Sequence, residues 1–121
     1  MKILVVEDDP LFCKMIDKAL NKQGFEVHTL VDGNEADHKL RAECFDLLIT
    51  DILMPGKEGI ELIADIRDMR PDMKILAMSA GGMVGRSSYL ELAEASGAHS
   101  VIDKPFTPAQ LLEKIEEISA A

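Results

Sequence analysis

The sequence has no tryptophan that could sandwich a flavin, a single tyrosine (Tyr89) and only two cysteines. Cys13 and Cys44 show no CxxC spacing and are too few for a disulfide scaffold. They read as small buried or half-buried hydrophobes in helix-like segments, in a reducing compartment. Long apolar runs are missing too. Stretches such as Ile3 to Val6 and Ile75 to Met78 fall far short of the roughly 18 residues that read as a membrane span. Basic residues are the minority: 13 Lys and Arg stand against 22 Asp and Glu, leaving a net charge of −9. That argues against direct, nonspecific binding to nucleic acid or to an anionic membrane, since both demand a basic footprint. The start of the chain does not read as a signal peptide, because Lys2 is followed at once by a short strand-like run. A cytoplasmic protein is expected. Neither the dinucleotide-binding nor the P-loop glycine pattern occurs.

What is present is a hydrophobic content of 47% in 121 residues, which suits one folded domain spanning residues 1–121. No repeat, low-complexity tract or interdomain linker interrupts it. Short aliphatic runs over 3–6, 25–30, 47–50, 74–78 and 100–102 predict strands. The first, third and fourth are nearly continuous, as strands are when both faces are covered. Between them lie helical patterns. Leu11, Phe12, Met15, Ile16, Ala19 and Leu20 predict a helix with Asp9 as N-cap, Pro10 in its first turn and Gly24 beyond its end. Ile60, Leu62, Ile63, Ile66 and Met69 predict another, stopped by Pro71. Leu111, Leu112, Ile115 and Ile118 predict the last, opened by Thr107 and Pro108. Weaker patterns cover 32–43 and 86–96. Strict alternation of strand and helix specifies an α/β fold with a parallel sheet, helices on both faces and right-handed crossovers.

In such a sheet, ligands bind beyond the carboxyl ends of the strands. The first predicted strand runs into Glu7, Asp8 and Asp9, the third into Asp51, the fourth into Ser79 and the fifth towards Lys104. Glu7, Asp8 and Asp51 gathered in one cleft would repel one another, so either a pKa rises or a cation neutralises them. Carboxylate oxygens without neighbouring His or Cys suit Mg²⁺, with Mn²⁺ or Ca²⁺ as substitutes, and disfavour Zn²⁺. Lys104 and the Ser79 hydroxyl suit phosphoryl oxygens. A carboxylate can itself attack phosphorus to give an aspartyl phosphate, a transfer that needs little beyond alignment and charge neutralisation.

These residues carry a resemblance. The segments ILVVEDDP (3–10), DLLITD (46–51), Met54 and Pro55 with Gly59, Met78 to Ala80, and Lys104 to Phe106 resemble the receiver domain of two-component response regulators, from residue 3 to about 115. The resemblance implies a flavodoxin-like (βα)5 fold, chemotaxis-regulator-like, with a doubly wound five-stranded parallel sheet in the order 2-1-3-4-5. It implies Asp51 as phosphoacceptor, Asp8 as a direct Mg²⁺ ligand, Glu7 as a ligand largely through water, and the backbone carbonyl of Leu53 completing the set. Ser79 matches the switch hydroxyl and Lys104 the family's lysine, with a cis bond to Pro105. Ala80 leaves room for the phosphoryl group. The implied partner is a sensor histidine kinase or phosphotransfer protein. Phosphorylation is expected to remodel the face formed by the fourth helix, fifth strand and fifth helix. Output is expected through protein binding or dimerisation. The domain is expected not to be an enzyme beyond promoting its own phosphotransfer and slow self-dephosphorylation.

Val101 departs from the pattern, standing where the family usually carries Tyr or Phe. It favours an alternative: a phosphorylation-independent interaction module of the same fold. Gly81, Gly82 and Gly85 make the loop after the fourth strand permissive. Other chemistries fit less well. The acidic loop at Glu7 to Asp9 would repel the phosphate of a flavin, and position 53 lacks the second acid of a haloacid-dehalogenase-type phosphatase. His28, His38 and His99 show no ligand spacing and read as surface or structural residues.

Overall fold

The computed structural model describes residues 1–52, 59–79 and 97–120. Among them are five strands and four helices. In chain order these are β1 (Lys2–Val6), α1 (Pro10–Lys22), β2 (Glu26–Leu30), α2 (Gly33–Ala42), β3 (Leu47–Asp51), α3 (Gly59–Met69), β4 (Lys74–Ser79), β5 (Ser100–Asp103) and α4 (Pro108–Ala120). All strand pairs are parallel and the order is β2-β1-β3-β4-β5, the flavodoxin-like arrangement expected. The helix predicted over 86–96 and the glycine-rich loop before it lie outside the described residues.

The continuous apolar runs of the central strands divide between two cores by simple alternation. Leu4, Val6 and Leu48 face one side with Leu40, Leu62 and Ile66 of α2 and α3. Ile3, Val5 and Ile49 face the other with Ile16 and Leu20 of α1 and Ile115 of α4. A period of two across a sheet covered on both faces produces this split.

Local chemistry sets the helix ends. Asp9 Oδ1 accepts hydrogen bonds from the Leu11 and Phe12 amides at 3.0 and 3.4 Å, with Pro10 opening α1. Asp32 caps α2 in the same way, accepting from Asn34 and Glu35 at 2.6 and 3.4 Å. At α4 the bonding is reciprocal: the Gln110 amide donates to Thr107 Oγ1 at 3.2 Å and the Thr107 amide donates to Gln110 Oε1 at 2.8 Å. Gly24, at φ +85°, makes the left-handed turn out of α1.

Two expectations need correction. Leu11 does not join the buried face of α1 but is 80% exposed. The buried line is Cys13, Ile16 and Leu20, and two residues of helix place Leu11 about 200° around the axis from Cys13. Cys44 is exposed and lies past the end of α2, where its Sγ accepts from Arg70 Nη1 at 2.9 Å. The histidines are as expected. His99 pairs with the start of β4 through its amide and its Nδ1, which accepts from the Ile75 amide at 3.1 Å. His28 contacts Glu26 and meets the Phe45 ring edge-on, and His38 is exposed.

Candidate functional site

Strand register assembles the site. Val6 pairs with Thr50, Asp51 with Met78 and Ser79 with Asp103. The residues at or just beyond these pairs, Glu7, Asp51, Ser79 and Lys104, therefore meet at one edge of the sheet. β3, β4 and β5 each run one residue further than the sequence suggests, so Asp51 and Ser79 are the last residues of their strands. Their backbones are fixed by the sheet rather than by a loop. The Ile52 amide donates to Met78 O at 3.1 Å and the Lys104 amide to Ser79 O at 2.7 Å.

The carboxylates of Glu7, Asp8 and Asp51 converge, with one oxygen of each lying within 4.8 Å of the others. Their surroundings differ. Glu7 is fully buried, Asp51 is 7% exposed and Asp8 is open to solvent. Asp9 stands apart as the α1 cap. Lys104 Nζ lies between the two buried acids, 2.8 Å from Asp51 Oδ2 and in direct contact with Glu7 Oε1. The sequence suggested Lys104 as a partner for phosphoryl oxygens but gave no sign that it also pairs with Glu7.

The anticipated conflict between repulsion and neutralisation is met in both ways. Burial drives the Glu7 pKa up. The Lys104 hydrogen bond opposes this and the nearby Asp51 charge adds to it, leaving Glu7 pushed up to about 7. Burial works against the charge on Lys104, yet its hydrogen bonds to Asp51 and Glu7 outweigh that and hold its pKa above the usual lysine value. One ammonium cannot balance three carboxylates, so the site keeps an appetite for positive charge.

Two further residues shape the site, and the sequence gave neither a role there. Gly59 opens α3 against the Asp51 backbone, its amide donating to Ile52 O at 2.9 Å. Phe12 of α1, read only as part of an apolar face, lies beneath Lys104 Nζ, 5.2 Å from ring centroid to nitrogen. Ser79 is buried at the end of β4. Val101 of β5 is half-buried and packs against the core on the α2 and α3 side. The Lys104–Pro105 bond is cis, as the resemblance implied. Leu53, Met54, Pro55, Ala80 and Tyr89 lie outside the described residues.

Among the described residues no helix is long and apolar enough to cross a membrane. The chain matches the response regulator receiver domain profile over residues 3–116. It is 34% identical over 120 residues to the response regulator receiver protein CpdR of Brucella abortus, covering 99% of this chain and 98% of that one. It is 35% identical over 115 residues to the phosphate regulon transcriptional regulatory protein PhoB of Rhizobium meliloti, covering 95% of this chain but half the length of PhoB. Among solved structures it superposes on the chemotaxis response regulator CheY4 of Vibrio cholerae with a TM-score of 0.84, 30% identity and 97% of each chain covered. A parallel sheet in this order, an acidic cluster at its carboxyl edge and a profile match over nearly the whole chain together place it in the response regulator receiver domain family.

Proposed function

We propose that residues 1–121 form a cytoplasmic receiver domain that accepts a phosphoryl group on Asp51 from a sensor histidine kinase or phosphotransfer protein. The observation that carries this reading is the setting of Asp51: an acid ending a buried strand, held by Lys104 and within reach of two further carboxylates. In the transfer an Asp51 carboxylate oxygen attacks phosphorus. An oxygen–phosphorus bond forms, the phosphorus–nitrogen bond of the donor phosphohistidine breaks, and its electron pair stays on the imidazole nitrogen.

The three carboxylates offer hard oxygen donors with no thiol or imidazole among them, a set that suits Mg²⁺. Asp8, Asp51 and the Leu53 carbonyl would hold the ion directly and Glu7 largely through water. Bound there, it would supply charge neutralisation for the phosphoryl oxygens. Lys104 then exchanges a carboxylate partner for a phosphoryl oxygen, and the Ser79 hydroxyl donates a hydrogen bond to another. The added charge of about −1.5 to −2 draws these donors inward and shifts a two-state equilibrium. The surface of β5 and α4 carries the change to a protein partner or a second copy of the chain; the segment 86–96, which the resemblance assigns to the same output region, lies outside the described residues. Slow hydrolysis of the aspartyl phosphate resets it.

Val101 favours a second reading, a module that binds partners without phosphate. Acetyl phosphate with Mg²⁺ separates the two. The switch gains one phosphoryl group by intact mass, and Asp51→Asn abolishes the gain. A chain that stays unmodified, or an Asp51→Asn variant still modified, rejects the switch. The alternative module would bind partners independently of Mg²⁺.

A further inference from the structure

We infer that Phe12 is a positioning residue for Lys104, its ring face holding the ammonium against the Glu7 and Asp51 carboxylates. The inference rests on the reading of Lys104 as the group that meets the phosphoryl oxygens. A lysine ammonium is a compact charge on a flexible four-carbon stem, and two carboxylate contacts leave it free to swing. Phe12 closes a third side. Lys104 Nζ stands over the ring, 5.2 Å from its centroid, inside the roughly 6 Å over which a ring face attracts a cation. A third carboxylate there would compete with the phosphoryl group for the same protons, and a water would screen the charge. An aromatic face attracts the cation without doing either.

The ring is itself held from two directions. The Phe12 amide donates to Asp9 Oδ1 at 3.4 Å, which ties it to the acidic loop after β1. Phe106, two residues beyond Lys104 and buried, meets the ring edge-on at 4.8 Å and 83°. Phe12 thus joins the segment that carries Glu7 and Asp8 to the segment that carries Lys104. A leucine would occupy much of the same space but offer no negative face.

The test compares Phe12→Leu, Phe12→Tyr and Phe12→Trp, alone and combined with Lys104→Met. It measures the rate of phosphoryl gain from acetyl phosphate with Mg²⁺, together with the unfolding midpoint. Phe12→Leu should react about fivefold more slowly, while the Tyr and Trp variants stay near the unmodified rate. With methionine at position 104 the difference between Phe and Leu should vanish. A second reading is independent of phosphorylation: the Lys104 ε-methylene protons should be shifted upfield by the ring and return to ordinary positions in Phe12→Leu. A reactive chain indifferent to Phe12→Leu, or slowed equally with methionine at 104, overturns the inference alone. A chain that gains no phosphoryl group overturns the site reading and the role of Phe12 with it. Should Phe12→Leu unfold, the methylene shift in the intact protein decides, and its absence overturns the contact.

Discussion

Gly59 touches the backbone of Asp51 so closely that a Cβ built on it would lie 1.9 Å from the Asp51 carbonyl oxygen. The obstacle is main chain of a buried central strand, which cannot swing aside as a side chain could. Gly59→Ala must therefore displace either α3 or the end of β3. Overpacking of this kind costs about 1–3 kcal/mol. The variant should lose that much in urea unfolding, and it should also accept phosphoryl groups more slowly if the end of β3, which carries Asp51, is the part that yields. Unchanged unfolding and unchanged kinetics would show that the helix start yields without cost.

Removing the Lys104 charge should separate cation binding from phosphoryl transfer. In Lys104→Met the partly buried ammonium no longer competes for Glu7 and Asp51. The thermal shift produced by Mg²⁺ should grow, while phosphorylation by acetyl phosphate slows. Leaving two buried acids without their partner should cost about 3–5 kcal/mol of stability in chelator. A Mg²⁺ response smaller than that of the unmodified chain would contradict this view of the site.

Glu7 sets a pH dependence opposite to that of an ordinary ion-paired acid. Its folded pKa, about 7, lies above the usual value of 4.5, so between those values the folded chain binds the extra proton. Stability from this group is complete below about 4.5 and is lost as pH rises towards 7. Glu43 has the reverse sign: hydrogen bonds from Lys39 and Lys2 lower it to about 2, and its contribution is lost as pH falls below the ordinary carboxylate range. Unfolding in chelator at pH 5 and pH 7.5, compared with Glu7→Gln, isolates the first effect. The difference between the two conditions should shrink in the variant.

The exposed and buried faces of α1 give the simplest check on its orientation. Leu11→Ser should change stability by no more than about 0.5 kcal/mol. Ile16→Ala should cost about 2–5 kcal/mol, since Ile16 is fully buried in the core shared with α4. Similar losses from both would place Leu11 in contacts that its exposure denies.

The sheet was legible because both of its signals are local. The aliphatic runs of β1, β3 and β4 and the helix starts at Asp9 and Thr107 are each written within a few consecutive residues. The gathering of Glu7, Asp8 and Asp51 followed from strand ends in a parallel sheet, a topological regularity rather than a local one. Contacts between distant side chains were not legible. Phe12 beneath Lys104, and Lys104 against Glu7, join positions roughly 90 or more residues apart, and no spacing encodes them. Leu11 was misplaced because an apolar residue near a helix start fits an amphipathic pattern by composition alone. Its angle about the axis, set by the docking of Cys13, Ile16 and Leu20 on the sheet, decides its exposure.

The division of β1 between two interiors limits how this sequence can change length. Inserting or deleting one residue within Lys2–Val6 would exchange Ile3 and Val5 with Leu4 and Val6, inverting both cores at once, and would carry Glu7 off the rim. Indels in such a chain are tolerated only where neither interior nor rim reads the count, as at the turn between α1 and β2. The strands act as rulers, and drift in size is left to the connections.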